Sequence, residues 1–274
     1  MCPSFLPLPA GPEGGPPSGK HLLLFISHNK GCQYYVGDYR DDRFFPTSHG
    51  RMSWMDNTYF APEALIDGRG RQIMWAWLTD NPPDEKPKGW SGVYGLPRTL
   101  WLGEDGTLRM RPVPELEMLR CGEKTWNDAA VAGDKARRIE GIVGDSCELA
   151  LEIDPGTAKR CGVKVRASGD GKEETLLYYD ADAKQLVFDS TRSGSFGRNV
   201  VEQAPFALKH GEPLLLRIFV DKSIVEVYAN DRQAIGRRVY PTRADSLGVA
   251  LFTHGGRATF KSVKAWEMAP SNPF

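Results

Sequence analysis

Between Thr58 and Arg98 the chain is written in short apolar and aromatic bursts, each cut within a few residues by Gly, Pro or Asp. The bursts are Thr58-Tyr59-Phe60-Ala61-Pro62-Glu63, then Gln72-Ile73-Met74-Trp75-Ala76-Trp77-Leu78-Thr79-Asp80, then Gly89-Trp90-Ser91-Gly92-Val93-Tyr94-Gly95-Leu96-Pro97-Arg98. Runs this short, with apolar residues alternating, have the signature of successive antiparallel strands rather than of a helix. An all-β fold is expected. The indoles on such a strand serve first as core, because each buries a large apolar area.

The same writing recurs elsewhere. His21-Leu22-Leu23-Leu24-Phe25-Ile26-Ser27 is an unbroken apolar run that suits burial on both faces. After the turn residues Asn29-Lys30-Gly31, the run Gln33 to Tyr39 makes its antiparallel partner. Residues 7–19 are rich in Pro and Gly without periodicity and are expected to form an exposed loop. Val113, Leu116 and Leu119 lie three apart, with Pro114 suited to a first helical turn, so a short helix is expected to bridge two domains. Beyond it, strand signals recur: Cys147 to Ile153, Gly162 to Arg166, Thr175 to Tyr179, Gln185 to Asp189, Leu214 to Val220, Ile224 to Tyr228, Ala234 to Val239, Gly248 to Phe252 and Ala258 to Trp266. This pattern predicts a two-sheet sandwich. Asp221-Lys222-Ser223 turns a hairpin within it, and Glu226, alternating with Val225 and Val227, is expected to face solvent or the domain interface.

A chain of 274 residues predicts one large or two ordinary domains, and two are expected. Lys and Arg number 35, as do Asp and Glu, so no general field draws nucleic acid or an anionic membrane, and a neutral partner such as a sugar fits. No run approaches the ~18 apolar residues of a membrane-spanning helix, and Met1-Cys2-Pro3 lacks the regions of a signal peptide, so as written the chain reads as cytoplasmic. The five cysteines have no metal-type spacing, and neither do His21, His28 and His49. Reduced structural thiols, no metal and no cofactor are expected.

The three bursts, in their order, resemble the last blades of the propeller in glycoside hydrolase family 32, the β-fructofuranosidases, whose pattern reads roughly Tyr-Ala-Pro, Trp-Gly-Trp, Gly-Trp-Ser-Gly, Leu-Pro-Arg. Gln33-Tyr34-Tyr35-Val36-Gly37, the connector Pro112 to Arg120, Asp189 to Ser193 and Leu216 to Asn230 are similar to further family segments. The resemblance implies a partial five-bladed β-propeller, the end of blade three with blades four and five, followed by a C-terminal β-sandwich. The expected domains are residues 1–111, a linker with a short helix at 112–123, and the sandwich at 124–274.

The resemblance also implies a site. Met1-Cys2-Pro3-Ser4-Phe5 aligns with a family segment in which Glu just before Cys-Pro is the general acid/base, and Met1 stands at that position. Retaining glycosidases of this kind need two carboxyl groups about 5 Å apart, and methionine supplies none. The family's nucleophile and stabiliser motifs are not found in the chain, and the doublets Asp41-Asp42 and Asp84-Glu85 read as solvated turns. No catalytic residue is therefore assigned. Phe60, Ala61, Asp80 and Asn81 match positions bordering the fructose pocket, while Trp77 either offers a sugar a flat face or is buried in the blade. Phe60 replaces the family Tyr, with Tyr59 as its neighbour, and Asp80 is either a hydroxyl acceptor or a turn residue. The implied partner is sucrose or a fructan, with self-association through an open propeller flank. Two readings follow: part of a fructoside hydrolase that is inactive alone, or a non-catalytic scaffold or sugar-binding remnant.

Overall fold

The computed structural model describes residues 1–79 and 91–272. By contacts these residues fall into two units, and the division is not a single cut. One unit holds the described residues of 1–114 together with Asp231–Arg237, and the other holds Glu115–Asn230 and the described residues from Arg238 on.

In the first unit β1 (Ser4–Pro9), β2 (Pro17–Ser27), β3 (Gly31–Arg40) and β4 (Arg43–Arg51) form an antiparallel sheet in chain order. A second sheet runs β5 (Tyr59–Ile66), β6 (Gln72–Leu78), β8 (Arg98–Leu102) and β9 (Leu108–Pro112), with the two-residue β7 (Val93–Tyr94) paired to β6. Four-stranded meanders of this kind are propeller blades. Met1–Pro3 precede the first strand and add no sheet from an earlier blade. Strand β5 lies against β1, β2 and β3, and between the sheets sit Leu8, Leu22, Leu24, Ile26, Met74, Ala76 and Leu78, all essentially without exposure. Period-two alternation puts the tryptophans of β6 on the other face: Trp75 and Trp77 are less buried than Met74, Ala76 and Leu78.

The expected loop at residues 7–19 is shorter than its composition suggested, since β1 runs to Pro9 and β2 begins at Pro17. β1 is an edge strand, where a proline without an N–H removes no ladder bond. Ser18 Oγ donates to the Leu8 carbonyl at 2.7 Å across the gap. Asp41 and Asp42 form the turn between β3 and β4, with φ of +52° and +55° and Arg40 opposite Arg43. Asx residues tolerate this left-handed geometry. Asp84 and Glu85 lie outside the described residues.

A 3-10 helix spans Pro114–Leu119. The strands that follow are β10 (Arg120–Ala132), β11 (Ala136–Val143), β12 (Ser146–Asp154), β13 (Arg160–Ala167), β14 (Glu174–Asp180), β15 (Gln185–Arg192), β16 (Val201–Pro205), β17 (Leu214–Asp221), β18 (Ile224–Ala229), β19 (Gln233–Arg238), β20 (Gly248–His254) and β21 (Arg257–Met268). They make two six-stranded sheets, β10-β21-β12-β17-β18-β19 and β11-β20-β13-β14-β15-β16, in a β-sandwich. Its core includes Leu149, Ile153, Val163, Val165, Leu177, Phe188, Ile218, Val227 and Phe260.

Three strands of the sandwich escaped the sequence reading: β10, β11 and β16. Each is the edge of its sheet, so much of its length is exposed and its apolar alternation is thin. Of the two settings expected for Glu226, solvent is ruled out: its side chain has no exposure and accepts a hydrogen bond from Tyr228 Oη at 2.7 Å. β18 has neighbours on both edges, and a carboxylate at this depth persists because it is bonded.

Candidate functional site

The expected pocket residues that the structure describes meet at one end of the β5–β6 pair. Phe60 and Trp77 are directly opposed in the ladder, and their rings meet edge to face at 6.3 Å between centroids. Aromatic pairs in this geometry add about 0.5–1.5 kcal/mol beyond area burial. Trp77 keeps 37% of its surface exposed, so this indole is a wall rather than core. Ala61 has a φ of +49° at the irregularity between Phe60 and Glu63. That bulge turns the strand just after Phe60. Asp80 and Asn81 lie outside the described residues.

The substitution of Phe for the family Tyr has a structural counterpart. Tyr59, the neighbouring hydroxyl, points the opposite way by strand alternation and is 1% exposed, with the buried Arg98 guanidinium 4.1 Å above its ring. Its hydroxyl therefore does not replace the one missing at Phe60. Arg98, the last residue of Leu96-Pro97-Arg98, also draws down the thiol of Cys32, although burial prevails and pushes that group up to about 12.

Other residues at this corner were not singled out from sequence. His28 stands 6.5 Å from the Phe60 ring, and Tyr94 in β7 is paired with Trp77 and largely exposed. Gly92 carries the Gly-Trp-Ser-Gly motif's physical reason: a Cβ there would overlap the Trp77 indole, and its φ is +69°. The signal for Tyr94 was present in that motif. None existed for His28, which comes from a turn of the neighbouring sheet.

Below the corner, Asp56 and Arg237 form a buried ion pair at 3.0 Å, their side chains 7% and 2% exposed. Asp56 also accepts from the Thr58 backbone N–H at 2.8 Å, just before β5. Burial raises the Asp56 pKa, but the Arg237 charge and hydrogen bonds outweigh it and hold the carboxyl below its ordinary value.

Met1 extends the edge of the first sheet: its carbonyl accepts from Ile26 N–H at 2.9 Å and its ammonium donates to the Ile26 carbonyl at 3.1 Å. Its side chain is exposed and has no acid–base chemistry to offer. Among the described residues no group of three or more His, Cys, Asp or Glu side chains is placed to hold a metal ion.

This chain is similar to known proteins along nearly its whole length. It is 30% identical to a sucrose-6-phosphate hydrolase of Zymomonas mobilis, over 99% of this chain and 54% of that protein. To a levanase of Bacillus subtilis it is 29% identical, over 98% of this chain and 43% of the levanase. The chain thus spans about half the length of these curated relatives. In fold it matches the crystal structure of fructan 1-exohydrolase IIa from Cichorium intybus with a TM-score of 0.86 at 22% identity, covering 99% of this chain and 62% of that one. A variant of the Cichorium enzyme that matches equally well in fold was solved in complex with 1-kestose. The profile described as "Glycosyl hydrolases family 32 N-terminal domain" matches residues 2–112, and "Glycosyl hydrolases family 32 C terminal" matches residues 115–267. With both profiles matched in order and the second covering more than half of its residues, the chain belongs to glycosyl hydrolase family 32.

Proposed function

We propose that this chain supplies one side of a fructoside-binding pocket in a β-fructofuranosidase-type fold, and that by itself it does not hydrolyse sucrose or fructans. The observation that carries the binding half is the aromatic corner where Phe60 meets a partly exposed Trp77 beside the bulge at Ala61. An apolar wall with a few polar groups is the common form of a small-ligand site. Asp80 and Asn81 follow β6 in sequence after Thr79, and a carboxylate there would accept hydrogen bonds from paired sugar hydroxyls.

The inactivity half rests on chemistry. A retaining glycosidase uses one carboxyl group to attack the anomeric carbon and another to protonate the leaving oxygen. Met1 occupies the position that the family resemblance gives to the acid/base, and the nucleophile motif is not in the chain. Losing both removes most of a rate enhancement of many powers of ten. What the chain retains is recognition, with Trp77 and Phe60 as a ring-sized face.

Purified chain incubated with sucrose and with inulin is expected to release fructose no faster than a protein-free blank. Turnover above the blank overturns the proposal. A scaffold without recognition is told apart by titrating fructose or sucrose while following tryptophan fluorescence, in the parent and in Trp77→Ala. A saturable change lost in the variant supports the sugar-binding reading.

A further inference from the structure

A second cleft lies wholly within the sandwich unit, away from the residues used above. Its volume is about 460 Å³, within the usual range for small-ligand sites. Phe196, Tyr240 and Pro241 give it an apolar lining, Asp145, Arg166 and Lys222 a charged one, and Ser223 and Thr242 complete it.

The apolar side is built rather than accidental. Phe196 pairs with Tyr240 in an isolated bridge and keeps 53% of its surface exposed, which no core role requires. Gly194 makes this approach feasible: its φ is +121°, and a Cβ there would collide with the Tyr240 carbonyl. The Arg238 guanidinium lies 5.0 Å from the Tyr240 ring centroid and donates to Ser223 Oγ, so the wall is stiffened by a third cation.

Cations outnumber carboxylates among the lining residues. Asp145 contacts two of them, Lys222 Nζ at 2.7 Å and Arg166 Nη1 at 3.6 Å, while Glu173 also acts on Arg166 and Asp221 on Lys222. Arg166 is nine-tenths buried, its Nε and Nη1 make no hydrogen bond, and its backbone is held at a φ of +49°. Burial pushes this guanidinium below its ordinary pKa, and Asp145 offsets that only in part. A buried cation short of a full partner favours the approach of an anion.

We infer that this cleft binds an anionic saccharide, with a phosphate or carboxylate set between Arg166 and Lys222 and the sugar ring against Phe196 and Tyr240. Guanidinium and ammonium groups recognise both anions through charge-assisted hydrogen bonds, and the Ser223 hydroxyl, which accepts from Arg238, keeps a proton to donate.

Calorimetric titration of the full chain with glucose 6-phosphate, glucuronate, glucose and inorganic phosphate tests this. At least one of the two anionic sugars is expected to bind at millimolar concentration or better, about tenfold or more tighter than glucose, and to weaken as salt is raised. Which of the two binds tells a phosphate source from a uronate source. Phe196→Ala should weaken binding several-fold and Lys222→Gln about tenfold. Lys222 is an exposed turn residue, so that variant tests the site even where Arg166→Gln fails to fold. No binding of either anionic sugar, glucose binding equally well, inorganic phosphate binding as tightly as the sugar, or affinity unchanged in both Phe196→Ala and Lys222→Gln overturns the assignment.

Discussion

Asp56 and Arg237 are 181 residues apart in sequence and 3.0 Å apart in space. Removing the carboxylate takes a charge-assisted hydrogen bond from the buried Arg237, so Asp56→Asn is expected to cost about 1.5–3 kcal/mol in urea unfolding. Replacing both by apolar residues of similar size should cost much less. The folded pKa of Asp56 lies below the ordinary 3.8, so its contribution is fully present above that pH and is lost as pH falls through the folded value. Stability measured from pH 7 downward should therefore drop in the acid range in the parent, and less in Asp56→Asn. The thiols offer a second residue-level check. Cys32, Cys147 and Cys161 are buried, and burial pushes each up to about 12, while Cys2 and Cys121 are exposed. Two fast equivalents of Ellman's reagent are expected from the native protein and five after denaturation. The sequence made free thiols legible, but not which ones were inert, because inertness is decided by neighbours from other strands.

At the scale of elements, the sheet β1–β4 presents an aromatic face away from its core. Phe5 stacks on His21 at 5.2 Å and meets Tyr39 and Phe44 edge to face, and next to them Phe25 and Tyr35 stack at 5.4 Å. Phe5 and Tyr39 remain more than a third exposed. Apolar faces of this kind drive association, so the purified chain is expected to show a concentration-dependent mass in sedimentation. Phe5→Lys with Tyr39→Lys should shift it toward the monomer, and an unchanged monomer in the parent would falsify the idea. Strand existence was largely legible, since Gln72 to Leu78 and Leu214 to Asn230 carry the alternation of half-buried strands. What failed was the edge strands, where polar composition hides pairing. The corner at Phe60 and Trp77 was legible only through resemblance, as nothing in the spacing told an exposed indole from a buried one.

On the scale of the whole molecule, the contact units do not follow the order of the chain. Asp231–Arg237 belongs with the first unit, although residues on both sides of it belong with the second. A protease cut between Pro112 and Lys124 should accordingly give two pieces that co-elute under native conditions and separate only in denaturant. Independent elution of the two pieces without denaturant would count against this.

The placement of β21 carries a consequence for how the protein is made. β1 to β9 pair mostly with their sequence neighbours, so those meanders can close as soon as each strand emerges from the ribosome. The sandwich cannot do the same. β21, near the end of the chain, is inserted between β10 and β12, with Arg120 opposite Met268. Until translation has released the last strand, β10 has no partner and one edge of β12 stands open, and a ribosome that stalls there holds a nascent chain with adhesive strand edges. The final dozen residues of this sheet therefore set the moment at which the sandwich becomes safe from misassembly.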